Sequence, residues 1–382
     1  MSELHFFTAD NLSALSWPEH ADGQYARSVL TPLMRYGTQA FIDNVSAEVQ
    51  AICCDDLVLP LVLARAAADN SYVCSPLGHY VHYAREELEI ELGAYPGLKK
   101  GLEKSLDLMR VVLEALRLED VVYVNNWLLS TNLYPAFELQ HLAAIRDALV
   151  KRFPDRALIF RSVNLRLNQP IYDTLCSLGF YPVASRQVYI LDPRSGAHRK
   201  KNPYKEDRRL TKKMAYHWEA AEQIRPRDIP RLRQLYDDLY LRKYSYLNPQ
   251  FNELFLRTSL EQNWLTYYVL RQGERIDAMV GYVQRNGVFT TPMVGYDRSL
   301  PQSLGLYRLL SFQLFQEAEK HGWILNHSSG VARFKTLRGC EPSMEYNLLY
   351  TDHLPRWRRA PWRLLQGLSR TLLEPMMQKL QL

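Results

Sequence analysis

A candidate anion-binding turn lies in the second half of the chain. Residues 297–307, DRSLPQSLGLY, stand between a strand-like segment and a predicted helix that begins at Leu306. Free backbone N–H groups at a helix start, aided by the helix dipole, bind phosphate groups. Gly305 would let a phosphate approach the backbone closely, and Arg298 would add positive charge. The segment predicts a pyrophosphate site, with a plain strand-to-helix turn as the alternative.

Four side chains could move or stabilise charge. Asn326 and His327 close a predicted strand, and imidazole titrates near neutral pH. Lys335 could bind a phosphate or stabilise a developing negative charge. In the first half, the phenol of Tyr172 follows a buried strand on a short helix and could protonate a leaving thiolate. The structural alternatives are a strand-end histidine, a surface lysine and a half-buried core tyrosine.

Two of these regions resemble the GNAT superfamily of acyl-CoA-dependent N-acyltransferases. Tyr172 and the later LGF at 178–180 resemble the family's Y-x-x-x-G-F ending, with a longer spacing. Gln302-x-x-Gly305 resembles its acyl-CoA loop, Q/R-x-x-G-x-G/A, except that Tyr307 stands at the last position. The similarity makes acyl transfer the first hypothesis for the function.

A third stretch of sequence points to one branch of this superfamily. Residues 330–339, GVARFKTLRG, are similar to the G-x-x-x-[YF]-K-x-x-x-G stretch of FemAB-like acetyltransferases, which are tandem GNAT-like proteins that transfer acyl or aminoacyl groups. The resemblance covers about residues 45–350. It implies an α/β (α+β) fold class with tandem GNAT-like domains, each a mixed, mostly antiparallel, splayed sheet flanked by helices.

The resemblance also implies where a donor binds. In GNAT folds, acyl-CoA lies between the fourth and fifth strands, which part from each other; here these are residues 288–296 and 323–327. Pro292 cannot donate to a sheet ladder and therefore fits a bulged or edge position in that strand. The implied cofactor is acyl-CoA or acetyl-CoA, without a metal. The implied cofactor-binding residues are Met293, Val294, Gln302, Ser303, Leu304, Gly305, Leu306 and Tyr307.

Two domains are expected from the repeated order of elements. The first is residues 1–195, and the second, 196–382, holds the acyl-CoA site. The first-half loop 134–138 has no glycine and carries an acid, so we expect its cofactor site to be degenerate and to shape an acceptor pocket at the domain interface. Residues 198–213 hold eight basic and two acidic residues, while the rest of the chain is neutral. They predict a basic linker, or a clamp for an anionic ligand.

The predicted reaction is direct attack of a primary amine on acyl-CoA or a related thioester. The acceptor would be a small-molecule or carrier-bound amine, and His79, His82 and Tyr83 could line its pocket. The alternatives are an aminoacyl-tRNA-dependent FemAB-like transferase and a non-catalytic GNAT-fold binding module. Transfer RNA is a less favoured partner, and no specific DNA contact is predicted.

These residues must be positioned by alternating strands and helices. Apolar periodicity and turn signals predict most of these elements. In the first half they predict, in chain order, two strands around residues 55–56, a helix over 102–116, a long strand over 121–134, a helix over 139–149, a strand over 157–162, a helix over 169–178 and a strand over 181–191. In the second half, Asn286-Gly287 predicts a tight hairpin.

The composition is that of a folded protein of the cytoplasm. The 382 residues are 47% hydrophobic and 23% charged, which excludes disordered, collagen-like and disulfide-stapled classes. The five cysteines form no C-x-x-C pair and suit a reducing compartment. The first residues do not resemble a signal peptide, and no apolar run is long enough to span a membrane. The basic, aromatic tail 355–382 predicts packing on its own domain, or peripheral membrane contact.

Overall fold

A computed structural model describes residues 4–64, 69–83 and 118–380. In this part of the chain, twelve strands form one mixed sheet. The strands are β1 (Leu4–Phe7), β2 (Ala47–Cys54), β3 (Leu57–Ala64), β4 (Val121–Val124), β5 (Ala157–Asn164), β6 (Tyr181–Leu191), β7 (His217–Ala220), β8 (Thr266–Gln272), β9 (Arg275–Arg285), β10 (Val288–Tyr296), β11 (Ile324–Asn326) and β12 (Glu341–Tyr350).

Helices cover both faces of this sheet. The α-helices of the described residues are α1 (Ala21–Tyr36), α2 (His141–Arg152), α3 (Leu165–Ser177), α4 (Asn202–Lys213), α5 (Ile229–Tyr236), α6 (Glu253–Glu261), α7 (Leu306–His321), α8 (Ala332–Leu337), α9 (Arg356–Leu368) and α10 (Glu374–Leu380). Short π-helical segments occur at Gly78–Tyr83, Asp237–Tyr244 and Ser369–Leu373. Central strands such as β3 and β5 are buried along their whole length, as expected where helices cover a sheet on both faces.

The sheet is built from two similar halves. Its order is β1-β2-β3-β4-β5-β12-β6-β11-β10-β9-β8-β7. Each half has one parallel pair, β4 with β5 and β10 with β11, and the other neighbours are antiparallel. This arrangement confirms the predicted fold class of tandem, mostly antiparallel GNAT-like units.

The two halves exchange their last strands. β12 lies between β5 and β6, and β6 lies next to β11 of the second half. The β6–β12 pair is long, with a register that runs from Glu341 opposite Ile190 to Leu349 opposite Tyr181. Each half is therefore completed by a strand from the other, and strands from both sides of residue 196 share one continuous sheet.

Most predicted elements occur close to their expected positions. The turn at residues 55–56 joins β2 to β3, and the hairpin at Asn286-Gly287 joins β9 to β10. The long strand predicted over 121–134 is wrong, because the strand ends at Val124. Asn125 and Leu128 then adopt left-handed backbone conformations, which turn the chain out of the sheet. The helix predicted over 102–116 lies outside the described residues.

The basic segment is a packed helix rather than a linker. Within residues 198–213, α4 buries Tyr204 and Asp207 against the second half. Asp207 accepts hydrogen bonds from Arg308 of α7 and Arg338, with N···O distances of 2.6 and 2.5 Å. Asp207 thus fixes α4 beside the start of α7.

The C-terminal tail also packs on the protein. In α9, Trp362 and Leu365 are buried, whereas Trp357 and Leu364 are each 54% exposed. Within the part of the chain described here, no helix combines the length and apolarity needed to cross a membrane. Peripheral membrane contact by this tail stays a prediction.

Candidate active site

The two strands of the parallel pair in the second half separate. β10 pairs with β11 only from Val288 opposite Ile324 to Thr290 opposite Asn326. β11 then ends, while β10 continues to Tyr296 and pairs only with β9 on its other side. The register of β10 shifts between Thr290 and Met293, around Pro292. The predicted bulge at this proline is present, and it lies where the two strands part.

A cavity opens at this separation. It has a volume of about 670 Å³, which is in the range of small-molecule sites. Its walls come from β10, α7, the loop after β11 and α8, and from the first half through Tyr72, Tyr83, Ser130 and Arg186. We call it the central cavity. Because both halves line it, it is suited to bring two substrates together.

An aromatic chain crosses the wide end of the separation. The Tyr307 ring at the start of α7 lies 6.0 Å from the Tyr296 ring of β10 and 4.8 Å from the Phe334 ring of α8, between centroids. We call these three residues the aromatic bridge. Tyr307 stands where the GNAT loop pattern has glycine or alanine, and its ring occupies space that a smaller residue would leave open.

The start of α7 has the features of an anion site. Gly305 precedes the helix with φ of +65°, and no side chain caps the first turn. The first N–H groups of the helix therefore have no capping partner. A Cβ atom at Gly305 would lie 2.6 Å from Cδ2 of Leu210 on α4, so that side chain would have to move, and the positive φ would strain any residue other than glycine.

Lys335 holds the loop that follows β11. Its Nζ donates hydrogen bonds to the carbonyl oxygens of His327, Ser328 and Ser329, at 2.6, 3.2 and 2.7 Å. Burial lowers the pKa of Lys335 to about 7. Three acceptors match the three N–H groups of an ammonium ion, so Lys335 shapes the cavity wall through this loop.

His327 and Asn326 lie at the end of β11. His327 lines the cavity, and burial, assisted by the charge of Lys335, lowers its pKa well below the ordinary value. The imidazole is therefore neutral at pH 7. Asn326 is buried, and its Oδ1 accepts the backbone N–H of Ser328 at 3.0 Å. Asn326 fixes the loop, whereas His327 faces the cavity space.

The predicted site residues are only partly brought together. Those that line the central cavity are Val294, Tyr307, His327 and Lys335. Met293 points to the opposite face of β10, as strand alternation requires, where the Tyr267 hydroxyl lies 3.6 Å from its sulfur. Gln302, Ser303 and Leu304 form an exposed turn before Gly305, and Leu306 is buried at the helix start.

Tyr172 lies away from the central cavity. It sits on α3 beside Tyr346, with a distance of 5.8 Å between ring centroids, and burial raises its pKa to about 12. The structure does not bring its phenol to the start of α7. Of the first-half residues proposed for an acceptor pocket, Tyr83 lines the central cavity, while His79 is buried with Nε2 at 3.1 Å from the Ser185 hydroxyl.

Sequence reasoning missed several residues of the cavity. Arg186 lies within β6, and Tyr240, Lys243 and Tyr244 lie on the π-helical segment after α5. An arginine in the middle of an otherwise uncharged predicted strand was a usable signal, because a buried charge requires a partner. The tyrosines had no such signal, since aromatic residues at helical spacing usually belong to a core.

The corresponding place in the first half is a smaller, acidic pocket. It lies at the start of α2, has a volume of about 290 Å³ and is lined by Asp22, Asp55, Asp56 and Glu138, with Arg285 as its one arginine. His141 Nε2 is 3.2 Å from Asp55 Oδ2. Cys54, Asp55 and His141 bring their ligand atoms within 4.8 Å of one another, which suits a cation rather than a phosphate. We call this the acidic pocket.

Comparison with known proteins agrees with this geometry. Residues 197–339 match the acetyltransferase (GNAT) domain family. No curated protein matches the chain significantly. Among solved structures, FemX has 9% sequence identity, a TM-score of 0.54 and a match covering 94% of this chain and 100% of FemX.

Two further solved structures match the chain at low identity. A conserved protein of unknown function from Bacteroides thetaiotaomicron has 11% identity and a TM-score of 0.50, with coverage of 92% of this chain and 100% of the other. L-PGS from Bacillus licheniformis has 17% identity and a TM-score of 0.41, with coverage of 58% and 76%. At such identities the likeness concerns the fold. Residues 197–339 therefore carry a GNAT acetyltransferase domain, and the chain as a whole shares the fold of FemX.

Proposed function

We propose that this protein is an N-acyltransferase that moves an acyl group from acyl-CoA to a primary amine in the central cavity. The observation that supports the proposal is the separation of β10 and β11 beyond Thr290 and Asn326, next to the uncapped start of α7. The helix start suits a pyrophosphate, and the cavity beyond it suits an acyl chain and an acceptor.

The proposed chemistry is direct attack of the amine nitrogen on the thioester carbonyl. A C–N bond forms, the C–S bond breaks, the amine loses a proton and the thiolate gains one. The low pKa of His327 disfavours an imidazolium ion, so we assign to this residue a hydrogen bond that orients the neutral amine. Lys335 and Asn326 position His327 through the loop after β11.

A second candidate donor is aminoacyl-tRNA. Two observations favour it: the aromatic bridge occupies part of the space between the strands, and α4 exposes a row of basic residues beside the start of α7. The exposed residues of this row are Lys205, Arg208, Arg209, Lys212 and Lys213. A basic helix next to a transfer site suits an RNA backbone, and such binding weakens steeply with salt.

One experiment separates the two donors. Purified protein is assayed for CoA release from acetyl-CoA with a panel of amines, and for transfer from a mixture of radiolabelled aminoacyl-tRNAs. An acyl-CoA enzyme releases CoA, and Tyr307→Gly, which opens the aromatic bridge, keeps or tightens acetyl-CoA binding in calorimetry.

The second donor has its own signature. An aminoacyl-tRNA enzyme copurifies with tRNA, loses binding between low and high salt, and is impaired by Arg208→Glu with Arg209→Glu. Absence of transfer from both donors, together with no acetyl-CoA binding at millimolar concentration, would contradict the proposed function.

A further inference from the structure

The charged residues that line the central cavity have one sign. Among the described residues that line it, Arg186, Lys243, Arg333 and Lys335 are basic and none is acidic. Lys335 is occupied by three carbonyl oxygens, and Lys243 and Arg333 lie in exposed parts of the wall. Arg186 is therefore the largely buried cation of this lining that remains to bind a ligand.

Arg186 is fixed so that one edge of its guanidinium stays available. Its Nε donates to Glu345 Oε1 at 3.0 Å, and its Nη2 donates to the carbonyl oxygen of Ser130 at 2.6 Å and to the hydroxyl of Thr131. Nη1 has no hydrogen-bond partner among the described residues, and it is not one of their fully buried unpaired atoms. The two N–H groups on Nη1 are therefore free to donate to a ligand in the cavity.

The position of Arg186 sets a distance from the site of transfer. Ile190 of β6 pairs with Asn326 at the end of β11, where the strands separate. Arg186 is four residues earlier on β6, which corresponds to ~13 Å along the strand. Because a strand side chain stands roughly perpendicular to its strand, the arginine does not change this order of magnitude, and an anion on Nη1 lies on the order of 10 Å from the transfer point.

The central cavity that holds these two points also has aromatic walls. The rings of Tyr72 and Tyr83 lie 4.5 Å apart between centroids, close to Ser130 and Arg186 in the cavity lining. On the other side, Tyr240 packs at 6.4 Å from Tyr244. Such walls suit an apolar or flat spacer between a polar group at each end.

We propose that the acyl acceptor is an amine that carries an anionic group, a carboxylate or a phosphate, at about 10 Å from its nitrogen, and that Arg186 binds this group. The inference rests on the proposed function for the role of the amine. The anion subsite itself is defined by Arg186 alone and is testable by binding.

Calorimetry with four probes tests the subsite. The probes are 8-aminooctanoate, 6-aminohexyl phosphate, octylamine without an anion, and octanoate without an amine. We expect octylamine to bind at least tenfold more weakly than the two anionic amines, and octanoate to compete with them. The tighter of the two anionic amines identifies carboxylate or phosphate as the preferred group.

Variants assign the effect to Arg186. Arg186→Gln should weaken binding of the anionic amines by about 10- to 100-fold, the range for a hydrogen bond to a charged group, and leave octylamine unchanged. Because this variant leaves Glu345 buried without its partner, the double variant Arg186→Gln with Glu345→Gln provides a neutral pair. Arg194→Gln, which removes a surface ion pair with Asp192, is the matched control and should bind as the wild type does.

The outcomes for subsite and function are separable. Equal binding of octylamine and 8-aminooctanoate, or equal binding by wild type and a folded double variant, overturns the subsite even if acyl transfer is found. Selective binding that depends on Arg186, without transfer from either donor, retains the subsite and contradicts the proposed function.

Discussion

The start of α7 in the second half and the start of α2 in the first half have surroundings of opposite charge. The start of α7 follows a glycine and opens on a cavity with basic walls, whereas the start of α2 opens on the acidic pocket. Both follow the same order of strand, loop and helix. The backbone of a duplicated fold thus supplies an anion-favouring helix start twice, and the nearby side chains decide whether it can be used.

The side chains of the acidic pocket do not suit a phosphate. Negative charge is already present near the start of α2, on Asp55, Asp56 and Glu138. The positive charge of Arg285 is paired with Asp22 at 2.7 Å. A phosphate brought there would meet several carboxylates at close range. The first half instead contributes Arg186, Tyr72 and Tyr83 to the central cavity, on the proposed acceptor side.

The largest expected difference between the two halves is in how strongly a carboxylate placed directly before α7 or directly before α2 weakens donor binding. Gly305→Glu adds a carboxylate at the start of α7 and forces a Cβ against Leu210, so we expect donor binding to fall at least ~1000-fold, about 4 kcal/mol. Gln140→Glu, directly before α2, should leave donor binding unchanged. Calorimetry with the donor measures both, and an equal loss in the two variants would remove the distinction between the halves.

A smaller contrast concerns stability. Asp207→Asn removes the charge that pairs with Arg308 and the buried Arg338, and should lower the free energy of unfolding by about 3 kcal/mol. Asp55→Asn removes a half-exposed partner of His141 and should cost less than ~1 kcal/mol. Urea denaturation monitored by tryptophan fluorescence compares them. If Asp207→Asn lowers the free energy of unfolding no more than Asp55→Asn does, Asp207 does not hold α4 in place.

A third contrast concerns the dependence of stability on pH. Burial lowers the pKa of His79, in the first half, to about 3, and that of Lys335, in the second, to about 7. Between the folded and unfolded pKa values the unfolded state binds more protons. Stability should therefore fall as pH decreases from about 6.5 to about 3 through His79, and rise as pH increases from about 7 to about 10.5 through Lys335.

Each of these effects amounts to at most about 1.4 kcal/mol per pH unit. His79→Gln should flatten the acidic limb of the stability curve, and Lys335→Met mainly the alkaline limb, with a smaller change in the acidic limb because the charge of Lys335 also lowers the pKa of His327. Denaturant midpoints measured from pH 4 to pH 10 give both limbs. A variant whose curve stays parallel to that of the wild type would show that its residue titrates alike in the folded and unfolded states.

Much of the fold was readable from local patterns. Val288 to Tyr296 was predicted as a strand with a bulge at Pro292, and the hairpin before it followed from Asn286-Gly287, because each feature depends on a few adjacent residues. The failure at residues 121–134 has a local cause as well. Val, Tyr and Trp favour strands, but side chains such as Asn132, which accepts the N–H of Trp127 at 2.8 Å, hold the chain in turns.

The candidate site was less readable, because its residues are distant in the sequence. Tyr307 and His327 were identified from motif and residue type, and both line the central cavity. Arg186 was not identified, since its role depends on Glu345, 159 residues away, and on the loop at Ser130. The basic segment was recognised by its charge, yet its packing depends on the single buried carboxylate of Asp207.

By itself, the sequence determined the elements, the resemblance between its halves and the chemistry available near α7, since propensity, turn residues and charge act over a few positions. Only the tertiary structure decided that β6 and β12 change places, that an aromatic bridge crosses the parted strands and that one arginine faces the cavity from the first half. Those features arise from contacts between segments far apart along the chain, and their energies depend on burial and pairing that no local pattern encodes.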